Sequence, residues 1–341
     1  MASKYQIRAD GEVLADILHP EYAYYNGKLK KGVNIAGKLS FSLTPDNPVI
    51  SSVLPLKTTI TVLRHGKPIF AGRVLNIKKN LYNQREVICE GALSWLYDVV
   101  VPPTSFTNSN VSSIVSSLLT TYNSLCSANR VFKVGTIDGD DVLTISAKSD
   151  YESVFNILSE IIKINGGYFV ATYDENATPI LNYYKNGIET SNEIRFGENL
   201  IDINEHIDTT KIITALYATG NNVALPSPNY IENADAVQAY GRIFGSVVFD
   251  DITTQSELIT QAESYLKQNM LGEISINVKA VTLGWEATEG NTVKVVSVPN
   301  GIDVKAIVSE VVTDLNNEAA GYITVGTTRK TLTKTLALEG K

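Results

Sequence analysis

The sequence predicts an α+β, β-rich multi-domain chain: two similar small β-barrel domains plus an α+β domain and a small helical domain. Three observations predict it. Short stretches with period-two alternation, divided by Gly, Pro and Asn turns, fill both ends of the chain. Stretches with the 3.6-residue spacing of amphipathic helices interrupt them. The strand-and-turn pattern of the first hundred residues recurs near the C-terminus.

In the first hundred residues, Leu39-Ser40-Phe41-Ser42-Leu43 alternates apolar and small polar residues and is punctuated by Thr44-Pro45-Asp46-Asn47-Pro48. Ile60-Thr61-Val62-Leu63, the turn His65-Gly66-Lys67-Pro68 and the return strand Ile69–Val74 form a hairpin. Arg85–Gly91 follows the polar turn Tyr82-Asn83-Gln84, and Pro102-Pro103 marks an exit linker. These strands predict a first β-barrel domain over 1–105.

A helix capped by Asn108 or Ser109 carries Val111, Ile114, Val115, Leu118, Leu119 and Tyr122 on one face. A second helix, capped by Asp150, carries Val154, Ile157, Leu158, Ile161 and Ile162 and stops at Asn165-Gly166-Gly167. Strands at Tyr168–Tyr173 and Ile180–Tyr184 complete an α+β domain over 106–197. Strands resume at Ile212–Ala218 and lead into a Gly/Asn/Pro-rich loop up to Pro228. Thr254 and Glu257 form a capping box for a helix with Leu258, Ile259, Ala262, Tyr265 and Leu266 on its apolar face. Further strands run through Ile274–Val281, Val293–Val298, Ile307–Leu315 and Tyr322–Val325. The expected division is a second, discontinuous barrel over 198–240 and 274–341, with a helical insertion over 241–273.

The recurrence has a constant spacing. Val74, Ile77, Leu81 and Asn83 match Val308, Val311, Leu315 and Asn317 at a shift of 234 positions. After one inserted residue, Val87–Gly91 matches Tyr322–Gly326, and Ile60–Leu63 corresponds to Val293–Val296. The aligned turn residues and closing Gly favour a structural duplication over unrelated sheets.

Composition narrows the function. The 341 residues are 44% hydrophobic and 19% charged, as in ordinary globular chains, and the net charge is −7. That balance argues against a dedicated nucleic-acid binder, which needs clustered Lys and Arg. Cys89 and Cys126 form no CxxC pair and are expected to be reduced. No apolar signal region stands at the N-terminus and no run reaches the roughly 18 apolar residues of a membrane span, so a chain without a membrane anchor is expected, made and kept soluble in a cytoplasm until it joins a partner.

Catalytic chemistry finds no support. Gly32-Val33-Asn34-Ile35-Ala36-Gly37-Lys38-Leu39 resembles a phosphate-binding P-loop, but Leu39 stands where a hydroxyl is required and a strand follows where a helix should. His19, His65 and His206 do not share metal-ligand spacing. Asp138-Gly139-Asp140-Asp141 lacks the spacing of a calcium loop and reads as a solvated turn. Tyr22, Tyr24 and Tyr25 cluster near the start, where packing or an interface explains them. No catalytic, cofactor-binding or metal residue is identified, and no cofactor is expected.

Leu39–Leu43, the hairpin Gly66–Val74, Cys89-Glu90-Gly91-Ala92-Leu93-Ser94-Trp95-Leu96, and Gly290-Asn291-Thr292-Val293 with Ile307–Leu315 and Gly326 together resemble the N-terminal region of phage tail-associated proteins. That family comprises baseplate hub proteins of contractile tails and tail-associated lysins of long non-contractile tails. The resemblance implies a structural virion protein and not an enzyme: a homotrimer at the tail tip whose six similar barrels surround a channel. A distal tail or tail-tube protein would lie on one side and a spike or tip protein on the other, with DNA passing through without specific binding. Many relatives carry a lytic domain after this region; ending at Lys341 removes that activity from the expectation. A tail-tip peptidase or cell-wall hydrolase, and a receptor-binding adhesin suggested by the Tyr cluster, are the alternatives.

Overall fold

Alternation in the first hundred residues resolves into seven strands in a computed structural model, which describes residues 4–145, 151–208, 212–250, 252–270, 273–282 and 285–326. They are β1 (Tyr5–Ala9), β2 (Glu12–Asp16), β3 (Tyr24–Gly32), β4 (Lys38–Leu43), β5 (Thr59–Arg64), β6 (Lys67–Lys79) and β7 (Arg85–Gly91). The β5–β6 turn is His65-Gly66, with φ of 49° and 79°, the doubly left-handed geometry that matches strand twist. The expected return strand continues past Val74 to Lys79. A bulge between Val74 and Asn76 lets it stay paired with β7 while bending.

The middle of the chain adds β8 (Val100–Val101), β9 (Phe106–Asn110), α1 (Val111–Leu125), β10 (Lys133–Asp138), β11 (Val142–Ile145), β12 (Glu152–Ser153), α2 (Val154–Asn165), β13 (Tyr168–Tyr173) and β14 (Pro179–Tyr184). The expected helical faces are the buried ones. The caps differ. Asn108 and Ser109 lie in β9, which pairs with β11, so α1 is capped from a distance: Ser112 N–H donates to Asp140 Oδ1 at 2.7 Å. Asp150 lies outside the described residues, and Ser153 caps α2 by accepting from Asn156 N–H at 3.2 Å. The two helices share one core with Ala71, Ala92, Trp95 and Leu96 from the end of the first sheet.

β15 (Ile188–Arg195) and β16 (Leu200–Asp208) follow. The chain then enters a second compact unit, 204–277, while 1–203 and 278–341 form the first. The second unit holds β17 (Ala215–Gly220), β18 (Val223–Ala224), β19 (Ile231–Glu232), α3 (Ala234–Tyr240), β20 (Phe244–Phe249) and α4 (Gln255–Asn269). β17 is central, antiparallel to β18 and β19 and parallel to β20. Thr254 caps α4 as expected, its Oγ1 accepting from Glu257 N–H at 3.4 Å and its hydroxyl donating to Glu257 Oε2 at 2.7 Å. The residues expected as a helical insertion over 241–273 do not stand apart. Leu258, Ala262 and Leu266 of α4 bury against Leu216, Ala218 and Leu225, which lie within the 198–240 stretch expected in the second barrel.

β21 (Glu273–Ala280), β22 (Asn291–Ser297), β23 (Ile302–Asp314) and β24 (Tyr322–Gly326) return the chain to the first unit. Thirteen described strands join in one curled sheet, ordered β16-β21-β24-β23-β3-β4-β7-β6-β5-β1-β2, with β22 on β23 and β15 on β22. The order β16-β21-β24-β23-β22 repeats β3-β4-β7-β6-β5. Ile60 faces Gly72 as Val293 faces Ala306. The second copy bulges between Val308 and Glu310, 234 positions after the first.

The structure corrects the last strand of the repeat by one residue. Val74 faces Cys89 and Val308 faces Val325, so Cys89 corresponds to Val325 and Val87 to Ile323, not Tyr322. A slip of one would turn the buried Val87 and Cys89 outward.

Gly91 sits where this sheet meets the β3–β4 loop, and a Cβ there would lie 1.8 Å from the Ala36 carbonyl oxygen. Gly91→Ala is expected to lower unfolding free energy by about 1–3 kcal/mol in urea titration.

Candidate assembly interface

The residues singled out for chemistry do other work. Asn34, in the P-loop-like segment, is buried with φ 57° and bonds to β13: its Oδ1 accepts from Phe169 N–H at 2.7 Å, and its own N–H donates to Phe169 O at 3.0 Å. Lys38 begins β4. The loop is thus a latch between the sheet and the α+β segment. Asp140 caps α1, and Asp141 pairs with Lys185. His19 and His65 are exposed and the His206 side chain lies outside the description. Cys89 is buried, Cys126 half-buried, and both are free. Among the described residues no group of His, Cys, Asp and Glu could hold a metal ion, and no helix is long and apolar enough to cross a membrane.

The Tyr cluster points to the structural centre. Tyr24 is buried on β3, where the two repeats join: Lys28–Gly32 pair antiparallel with Asp314–Glu310 of β23. The Tyr24 hydroxyl donates to Leu315 O at 3.3 Å. Burial, reinforced by Asp16 and Asp314, pushes its pKa up to about 12, so it remains a donor. Leu315 N–H donates to Gly27 O at 2.8 Å, and Gly27 N–H donates to Asn316 Oδ1 at 2.7 Å. Ion pairs Lys30–Glu310 (2.9 Å) and Lys31–Glu289 (3.1 Å) flank the joint. The Leu315 side chain enters the core of the first repeat beside Tyr5, Tyr24 and Leu29.

A cavity of about 490 Å³ opens next to this joint, lined by Tyr5, Arg64, Trp285, Glu286, Glu318 and Tyr322 among others. Its charges are paired. Lys4 and Tyr5 donate to Glu318, and Arg64 pairs with Glu286. Burial opposes ionisation of Glu318, but the Lys4 and Tyr5 hydrogen bonds outweigh it and hold the carboxyl below its usual range. This network fastens β1 to the second repeat; the groups in it are engaged with one another.

The same positions in the first repeat are uncovered. Leu81, the counterpart of Leu315, is 89% exposed against 5%. Beside it Tyr82 is 75% exposed on a turn shaped by Asn80, whose Oδ1 accepts from Tyr82 and Gln84 N–H, both at 3.0 Å. The β5 side of β6 is occupied only as far as Val74, which exchanges hydrogen bonds with Leu56 and Thr58. From Asn76 to Asn80 that flank pairs with no described strand. In the second repeat the equivalent stretch, Glu310–Asp314, is the one that β3 covers. Sequence reading aligned Leu81 with Leu315 but carried no signal that one is buried and the other open. A further exposed feature stands on the second unit: Tyr217, Tyr230 and Phe244 contact one another with centroids 5.1–5.6 Å apart, and Arg242 lies over Tyr230.

Residues 188–336 match the model of the prophage endopeptidase tail family. No curated protein matches the chain. Among solved structures, the fold is similar to the 43 kDa tail protein of prophage MuSo2 from Shewanella oneidensis (11% identity, 96% of this chain and 98% of that one, TM-score 0.63). It is similar to prophage tail protein gp18 from Listeria monocytogenes EGD-e (14% identity, 96% of each chain, TM-score 0.58). It is also similar to the E. coli c3393 protein, a type VI secretion component described as resembling T4 tail proteins gp27 and gp5 (8% identity, 91% of this chain and 75% of that one, TM-score 0.50).

The contrast between the two leucines gives a direct test. Leu315→Ala is expected to destabilise the fold by about 2–5 kcal/mol, whereas Leu81→Ala stays within about 0.5 kcal/mol of wild type in the same chemical denaturation.

Proposed function

We propose that this chain, whose residues 188–336 match the model of the prophage endopeptidase tail family, is a structural hub of a phage, prophage or tail-like bacteriocin tail. Three copies form a ring that joins the tail tube or distal tail protein on one side to a spike or tip protein on the other. Each copy contributes two related barrel-like domains, so the ring presents six similar elements to a six-fold tube and three identical subunits to a three-fold spike. DNA passes through without specific binding, in keeping with a net charge of −7. The observation that carries this reading is the duplicated five-strand order with its bulge repeated 234 positions on. Similarity to tail proteins over 96% of the chain supports it.

A peptidase reading takes its support from the description of the matched family as an endopeptidase tail. The non-enzymatic reading rests on the engaged charges of the cavity. Incubation of the purified chain with bacterial cell walls separates them: released peptide or sugar fragments favour the hydrolase. An adhesin reading draws on the exposed Tyr217–Tyr230–Phe244 cluster, since aromatic faces suit glycan or protein contacts, and binding to host cells tests it.

Light scattering on the purified chain is expected to give a species of three times 37.2 kDa. A monomer that persists as concentration rises contradicts the hub reading.

A further inference from the structure

We propose that a groove on the face of β3, β4, β7 and β6 opposite the core binds a phosphate group. This site does not depend on the ring. A cavity of about 600 Å³ lies there, with residues of the Asn80–Gln84 turn at one end.

Strand alternation builds the floor. Leu39, Phe41 and Leu43 of β4 enter the core, which leaves Ser40 and Ser42 half-buried on the other face. The register aligns Tyr25 of β3, Ser42, Glu86 of β7 and Lys78 of β6 in one row across the sheet. Lys28 stands opposite Ser40 in the next row. β3 and β6 are three strand spacings apart, about 14 Å. The long side chains of Lys28 and Lys78 can therefore lean towards each other over the serines. Lys79 brings a third ammonium group to the same groove.

The acceptors around the groove are already used. Asn80 Oδ1 accepts from Tyr82 and Gln84 N–H, both at 3.0 Å, and Gln84 Oε1 accepts from Asn80 Nδ2 at 2.6 Å. Glu86 is the one carboxylate in the lining, and it pairs with Lys78 at 3.4 Å. Asp314 faces Lys28 from β23, but its Oδ1 accepts from Asn316 and Asn317 N–H, both at 2.9 Å. The donors are not used. Among the described residues, Lys28 and Lys79 have no ion pair, and the Tyr25, Ser40 and Ser42 hydroxyls have no hydrogen bond. The Asn26 amide can add its N–H2 group.

Three lysines against one carboxylate make the groove positive in a chain whose net charge is −7. Free ammonium groups set around free hydroxyls suit a tetrahedral oxyanion, which offers several acceptor oxygens in different directions. A planar carboxylate is better matched by the fork of an arginine, and no arginine lines this groove. The chemistry fits both a free phosphate and a phosphate within a phosphodiester chain.

Calorimetric titration of the full-length chain with inorganic phosphate, and separately with a short oligothymidylate, tests the site. Saturable binding is expected, weakening as chloride is added. Lys28→Gln combined with Lys79→Gln is expected to weaken it about tenfold or more. Ser42→Ala is expected to weaken it by a smaller factor, and the thermal midpoint of both variants is expected to match wild type. Lys57→Gln combined with Lys67→Gln removes the same charge from exposed positions outside the groove and is expected to leave binding unchanged. Binding of inorganic phosphate alone supports the site and assigns a free phosphate. Tighter binding of the oligothymidylate, lost in the Lys28/Lys79 variant, supports it and assigns a phosphate within a chain. If neither probe binds, or if both lysine pairs weaken binding equally, the site is overturned.

Discussion

The joining of the two repeats depends on the pairing of β23 with β3. Neither repeat closes on itself there. The second half of β23 runs past β22, and five residues of β3 fill the flank that β22 leaves empty. Strand pairing supplies the direction, and the buried Leu315 and Tyr24 supply the apolar seal. The Lys30–Glu310 pair is partly exposed and adds little by itself, since such pairs are worth about 0–1 kcal/mol. Hydrogen-bonded backbone and one leucine therefore carry most of the joint.

The same constraint explains where insertions are tolerated. In the first repeat, β3 and β4 are joined by five residues, Val33–Gly37, which latch onto β13 through Asn34. In the second repeat, the equivalent connection between β16 and β21 carries an entire compact unit over 204–277. Lengthening a connection leaves strand order intact because loop closure costs rise only slowly with length. Within that unit, α4 buries its apolar stripe against β17 and its neighbours, giving it a core of its own.

Much of this was legible in the sequence because it rests on local pattern. β7 and β13 have their expected limits, and the buried faces of α1 and α2 follow the apolar spacing. The 234-residue recurrence is visible in the apolar and turn residues of the two bulged strands, β6 and β23. What was not legible depends on partners distant in the chain. Asp140 caps α1 from across a turn, and the β24 register slipped by one because Tyr322 and Ile323 are both apolar and only burial distinguishes them. The β1–β2 hairpin escaped despite Asp10-Gly11, a recognised turn pair with φ of 46° and 92°. Leu81 and Leu315 are the same residue in the same pattern, and their opposite fates are set by what covers them.

In the proposed assembly, two quasi-equivalent repeats per chain build a closed ring. Cryo-electron microscopy of the assembled protein tests it most directly. A three-fold particle whose inner wall shows six similar sheets is the expected result. A particle in which the two repeats of each chain face different surroundings would contradict it.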